Sequence, residues 1–197
     1  MPADGSDARW PLIETVVTTL NPGGGVNCAA MGVRWGEHEV VFWSFGETRT
    51  LRNLRVRGEA VVHLTDDALL FVQAALGRPQ PATRPAAHVR GAVIDACSAW
   101  REVVVTEIAP AGGDSARARV DARVVAGGRG SQPSLGMCRA RHAAVEASIA
   151  ASRLPWLGRE RVCAELERLQ DLVDRTAGPR ERGAMEYVRE YVARRAP

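Results

Sequence analysis

The spacing of apolar and polar positions divides the chain into a β-rich part and a helical part. LIETVVTTL (12–20) is rich in β-branched residues and predicts a strand. NPGGG (21–25) follows, where Pro after Asn and three Gly favour a tight turn. VNCAAMGVRW (26–35) is the returning strand, so the first two strands form a hairpin. GEH (36–38) turns again, and the unbroken apolar run of EVVFWSF (39–45) predicts a strand covered on both faces. EAVVHLT (59–65) is a fourth strand. DDALLFVQAALG (66–77) predicts a helix capped by Asp66 and closed by Gly77. The three prolines of RPQPATRPAA (78–87) predict a loop. Residues 88–110 are too many for one straight strand, so they predict a pair of strands, or one broken by a bulge near Cys97–Ala99. AGGDS (111–115) turns, and 116–128 alternates through Val120, Ala122 and Val124 as a half-solvated strand.

Beyond this point the period becomes helical. Residues 134–153 carry an apolar stripe of Val145, Ile149 and nearby alanines. Val162, Leu166, Leu169 and Val173 recur at helical spacing in 159–176, as do Met185, Val188 and Val192 in 180–195. Gly178 and Pro179 separate these two helices. The chain therefore divides into a leader (1–11), a β domain (12–130) and a helical unit (131–197). Strands followed by helices exclude a doubly wound α/β fold. No GxGxxG follows the first strand, no GK[ST] occurs, and NPGGG opens a strand, so the dinucleotide and P-loop readings fail.

Composition narrows the partners. With 46 % apolar and 25 % charged residues in 197, the chain reads as an ordinary globular protein. The 26 basic residues are all Arg; against 23 acidic residues they leave a net charge of +3, spread along the chain. This balance gives no argument for nucleic acid. The four cysteines form no CxxC pair, which argues against a metal knuckle and for buried thiols of a reducing compartment. The start has no apolar run, and no stretch approaches the ~18 apolar residues of a spanning helix. The expected location is the cytoplasm, away from membranes.

Two stretches carry candidate chemistry. In FGETRTLRNL (45–54), Gly46 releases a strand and Thr48, Arg49, Thr50, Arg52 and Asn53 follow. One reading is a capped surface helix. The other is an anion cradle, with helix N–H groups, hydroxyls and the planar fork of Arg49 meeting one terminal phosphate. In NPGGGVNCAAMGV, Asn27 precedes the small residues Cys28, Ala29 and Ala30. A flat ring can lie on a strand where side chains are short; the same residues also suit a closely packed hairpin.

Taken together, IETVVTT, GGVNCAAMGV, FGETRTLRNL, EAVVHLTDD and MCRARHAAVEASIAASR resemble a family of split-barrel flavoproteins. That family is found mainly in methanogenic archaea, with relatives in planctomycetes and methylotrophic bacteria. The resemblance covers 12–155 firmly and the last helices more weakly. It implies an antiparallel split β-barrel of the FMN-binding type, related to pyridoxamine-phosphate oxidases and flavin reductases, followed by a small helical unit. It implies FMN as cofactor and a homodimer holding it at the subunit interface. By motif, Thr48, Arg49, Thr50 and Asn53 would hold the flavin phosphate, while Asn27, Cys28, Ala29, Ala30 and Met31 would lie along the ring. Ala30 replaces the family's usual Pro, and Cys138 replaces an Asn in the helix motif. Arg139, next in that motif, would meet phosphate or the other subunit. The implied activity is flavin-dependent oxidoreduction of a small or pterin-like substrate, with a non-catalytic flavin- or pterin-binding role as the alternative.

Other residues suggest no catalytic group. Asp66 and Asp67 are adjacent and point different ways; His142 and Glu146 share a helix face without forming HExxH. Trp43 suits a core or an interface. No Ser or Cys has a His partner legible in the sequence, which a flavoprotein does not require, because the cofactor carries the redox chemistry.

Overall fold

The computed structural model describes residues 10, 12–77, 79–111, 117–132 and 139–195. Most of the expected leader, residues 112–115 of the turn and Cys138 lie outside them. The chain forms two compact units, one of residues 1–64 and 80–133, the other of 65–79 and 134–197.

The first unit is a closed antiparallel barrel. Its strands are β1 (Leu12–Leu20), β2 (Val26–Trp35), β3 (Glu39–Phe45), β4 (Glu59–Leu64), β7 (Ala99–Pro110) and β8 (Arg117–Arg129), in the order β1-β2-β3-β8-β7-β4. Side chains alternate between its two faces. Val17, Val33, Val40, Phe42, Val62, Val103 and Val120 form the interior. Helix α1 (Arg49–Arg57) adds Leu51 and Leu54 to that interior, each 1 % exposed, and so closes one end.

The barrel wall is split between two strands. β1 and β2 pair along their whole length, from Leu12↔Arg34 to Leu20↔Val26. β2 and β3 pair only at Val33↔Phe42, Arg34↔Val41 and Trp35↔Val40. From Val26 to Gly32, β2 therefore has no ladder on its β3 side among the described residues. Beyond Phe42, β3 follows β8 to Phe45↔Arg117 and leads into α1.

The segment expected as a pair of strands is one: β6 (Ala92–Ile94), then β7. The Pro-rich loop also contains a three-residue strand, β5 (Thr83–Pro85), which pairs with β6. This outer hairpin covers β1 and β4. Thr18 Oγ1 donates to the Ala92 carbonyl at 2.6 Å, and the Ile94 N–H donates to His63 Nε2 at 3.0 Å. The Glu102 carboxylate, 3 % exposed, accepts from the backbone N–H groups of Ala87, His88 and Val89. A buried carboxylate needs such donors, and here they fix the loop before β6.

The second unit holds α2 (Ala68–Leu76), α3 (Arg139–Ser152), α4 (Leu154–Leu157), α5 (Arg159–Thr176) and α6 (Pro179–Arg194) around one core. The expected stripes of α5 and α6 are its apolar faces. Three readings are corrected. α2, placed by sequence within the β domain, belongs to the helical unit. Its cap is Asp67, whose carboxylate accepts from the Leu69 and Leu70 N–H groups; Asp66 faces Arg141 at 3.5 Å. α3 buries Ala140, Ala143, Ala144, Ala147 and Ala151, while Val145 and Ile149 are only half-buried. Small alanines let neighbouring helices approach closely, so the larger residues turn outward. No helix among the described residues is long and apolar enough to cross a membrane.

Candidate functional site

The start of α1 follows from its local sequence. Gly46 adopts a left-handed φ of 45°, which releases β3 into the turn. Thr48 then takes the extended N-cap conformation, and its Oγ1 accepts from the Leu51 N–H at 3.2 Å. Ser44, buried at the end of β3, holds the same hydroxyl at 2.7 Å. At the other end Gly58, φ 65°, donates its N–H to the Leu54 carbonyl at 2.8 Å. The first turn of α1 contains no acidic residue.

The cations of α1 have different fates. Arg52 donates to the Glu47 carbonyl, and Arg55 pairs with the Glu47 carboxylate. Arg57 reaches the carbonyls of Asn21 and Pro22, each at 3.4 Å, and steadies the β1–β2 turn. Arg49, half-buried at the first helical position, has no hydrogen-bond or ion-pair partner among the described residues.

Beneath this turn lies a buried polar network. The Asn27 amide donates to Thr19 Oγ1 at 3.2 Å and to Thr50 Oγ1 at 3.0 Å. The Asn53 amide donates to Thr19 Oγ1 at 3.0 Å and to Asn21 Oδ1 at 3.1 Å. Thr19, Thr50 and Asn53 are 1 %, 2 % and 4 % exposed. The residues picked out by sequence thus separate into two groups. Thr48 and Arg49 stand at the surface turn, whereas Asn27, Thr50 and Asn53 bind one another and the hairpin. Thr19, Asn21 and Ser44 were missed. Thr19 reads as one more β-branched residue of a strand; its role comes from the cross-strand pair Thr19↔Asn27.

On β2, alternation divides the remaining candidates. Asn27, Ala29 and Met31 share the inner face with Val33, and Met31 packs on the barrel core. Cys28 and Ala30 take the outer face. Burial pushes the Cys28 thiol up to about 11, which makes it a poor nucleophile at neutral pH. Cys97 is also buried, and Cys163 is only half-buried, contrary to the expectation for it. Trp43 is half-buried on the outer face of β3, opposite Arg119. Arg139 is the exposed first residue of α3, in the helical unit. No cluster of metal-ligating side chains occurs among the described residues.

Two domain profiles match this chain: the N-terminal domain of the protein family of unknown function DUF447 over residues 13–130, and its C-terminal domain over 138–190. The chain belongs to this family. An FMN-bound family member from Methanosarcina mazei has the same architecture, with a TM-score of 0.80 at 18 % identity, covering 93 % of this chain and 96 % of that one. Component B of nitrilotriacetate monooxygenase from Bacillus cereus matches at a TM-score of 0.54 and 17 % identity, over 72 % of this chain and 84 % of the other. The 2-nitrobenzoate 2-nitroreductase of Pseudomonas fluorescens matches at 0.51 and 19 % identity, over 64 % and 73 %. These likenesses establish the split-barrel fold and the helical extension of the family.

Proposed function

We propose that this protein binds FMN at the split between β2 and β3 and serves as a flavin-dependent oxidoreductase on a small or pterin-like substrate. The observation that carries the reading is Arg49: a guanidinium without a partner among the described residues, at the first turn of a capped helix, beside an opened barrel wall. Helix N-termini attract anions through free N–H groups and the helix dipole, and an Arg fork adds charge-assisted bonds to phosphate oxygens. The FMN-bound relative supports the choice of anion.

The residues present fit that cofactor. Arg49 and the Thr48 turn would hold the phosphate. Thr50, Asn53 and Asn27 would position that turn from below. The unladdered edge of β2 offers backbone polar groups to a ring, and Cys28 and Ala30 keep the outer surface beside it low. Arg139 is proposed to meet phosphate or the other subunit. Flavin supplies hydride chemistry when bound; the chain's own part is to anchor the phosphate, orient the ring and leave one ring face for substrate.

We propose a homodimer with the flavin at its seam. Phe45 and Val56 support it: they are 55 % and 71 % exposed on the segments that flank the cradle. The decisive experiment is FMN titration of the purified protein, followed by visible absorbance. Absence of any bound flavin would end the proposal.

A second reading, flavin or pterin binding without turnover, has one observation in its favour. The two strongly perturbed groups of the barrel, His63 and Cys28, are neutral and buried, so neither offers acid–base chemistry at the split. Rapid mixing of the FMN-loaded protein with NAD(P)H separates the readings. Fast bleaching supports the enzyme, and an unchanged spectrum with every nicotinamide or pterin donor supports the carrier.

A further inference from the structure

On the helical unit, α3 and α5 enclose an open groove whose charges are arranged to pair with a second copy of themselves. Its floor is apolar, formed by Ile149, Ala150, Leu157 and Ala164. Ile149 is a residue that helical periodicity assigns to the core, yet the structure leaves it half-buried here. Beside it α4 presents Trp156, 78 % exposed. Exposed tryptophan next to an apolar floor is the composition of an interface centre.

The polar rim identifies the occupant. Glu146 on α3 and Arg153, the turn residue that joins α3 to α4, stand seven residues apart and flank Ile149 and Ala150. At the Arg153 end, α5 adds Arg161, and neither arginine has a carboxylate partner among the described residues. At the other end are Glu146, Glu165 and Arg168. Arg168 pairs with Glu165 and holds its carboxyl below the usual range, and Glu146 lies close enough to favour the charged form of Arg168. One end is thus net positive and the other net negative.

We infer that this face is an isologous interface between two copies of the chain. A two-fold axis through the Ile149–Ala150 midpoint sets Glu146 of each copy against Arg153 of the other. It also brings each Arg161 toward the opposite acidic end. Such self-complementarity is what a cyclic dimer contact requires. Ala150 and Ala164 permit close approach of the helices, and Ile149, Leu157 and Trp156 supply the area removed from water. An unrelated partner would not require the two ends of one groove to be mutual complements. The inference is independent of the flavin reading and rests on residues of the helical unit alone.

Charge reversal tests it on the full chain by sedimentation equilibrium. Glu146→Arg and Arg153→Glu should each weaken self-association by at least about tenfold, equivalent to ~1.4 kcal/mol. The double variant, which recreates the pair with the signs exchanged, should restore association. Both side chains belong to exposed positions, so folding is expected to survive, and circular dichroism verifies it. Trp156→Ser gives a second disruption by a route that leaves charge unchanged. A monomeric wild type overturns the inference, as do single reversals that associate like wild type or a double variant that fails to recover.

Discussion

The side-chain amide of Asn27 on β2 donates to Thr50 Oγ1 on α1 at 3.0 Å. One bond thereby joins the strand proposed to carry the flavin ring to the turn proposed to carry its phosphate. The same amide also binds Thr19, which in turn accepts from Asn53, so both turns of the helix are tied to the β1–β2 hairpin. In a buried setting such bonds matter most when one partner is removed, because the other is left unsatisfied.

Asn27→Leu should therefore destabilise the fold by about 1–3 kcal/mol, the cost of stranding buried polar partners. Urea unfolding measures it. A loss of only a few tenths would mean that water reaches Thr50 and Thr19 and that the network is not a lock.

Arg49→Ala probes the phosphate directly. Loss of a charge-assisted contact costs about 1.5–3 kcal/mol, so FMN affinity should fall roughly tenfold to hundredfold. Riboflavin, which lacks the phosphate, should bind nearly as before. Equal losses for both ligands would move the phosphate to another part of the molecule. Among the described residues Arg49 has no protein partner, so its removal should leave the melting temperature of the apoprotein almost unchanged.

His63 gives the barrel a pH dependence of known sign. It is fully buried; its Nδ1 donates to the Val16 carbonyl at 2.9 Å, and its Nε2 accepts from the Ile94 N–H. Burial lowers its pKa from 6.5 to about 4; the Val16 bond opposes this and Arg84 adds to it. Between those values the unfolded chain binds the proton and the folded chain does not. Stability is therefore fully present above pH 6.5 and is lost as pH falls toward 4, by about 3 kcal/mol in all. His63→Gln, which does not titrate there, should flatten that limb in denaturant unfolding run across pH. A variant as steep as wild type would assign the slope to carboxylates instead.

What the sequence made legible, and what it did not, has a physical pattern. β1 to β4 and α1 could be read because each is set by neighbours in the chain: β-branched runs, a Gly turn, and Thr48 three residues before the N–H that it caps. β5 was hidden because Thr83–Pro85 is too short for alternation and sits among prolines. The cap of α2 was ambiguous because Asp66 and Asp67 are adjacent, and only the distant Arg141 and Arg180 distinguish them. On α3 the apolar stripe pointed to the wrong positions: the residues with the strongest signal, Val145 and Ile149, are only half-buried, and the alanines carry the packing. The candidate cradle was visible as a composition. Its separation into a surface turn and a buried network depends on contacts 23 and 34 residues apart along the chain.

The proposed flavin seam predicts linkage between ligand and assembly. Phe45, with the Arg117 guanidinium 3.8 Å from its ring centre, is exposed one residue before Gly46 begins the cradle turn. Leaving such a ring in water is unfavourable, and covering it with a second copy would also cover the flavin beside it. If each subunit completes the other's pocket, FMN must strengthen dimerisation, and dilution must weaken FMN binding, because anything that binds only the assembled state stabilises it by mass action. Sedimentation of apo and FMN-loaded protein at falling concentration should show a smaller dissociation constant with FMN. Phe45→Ser should weaken both processes together. Equal FMN affinity at every protein concentration would place the whole pocket within one chain.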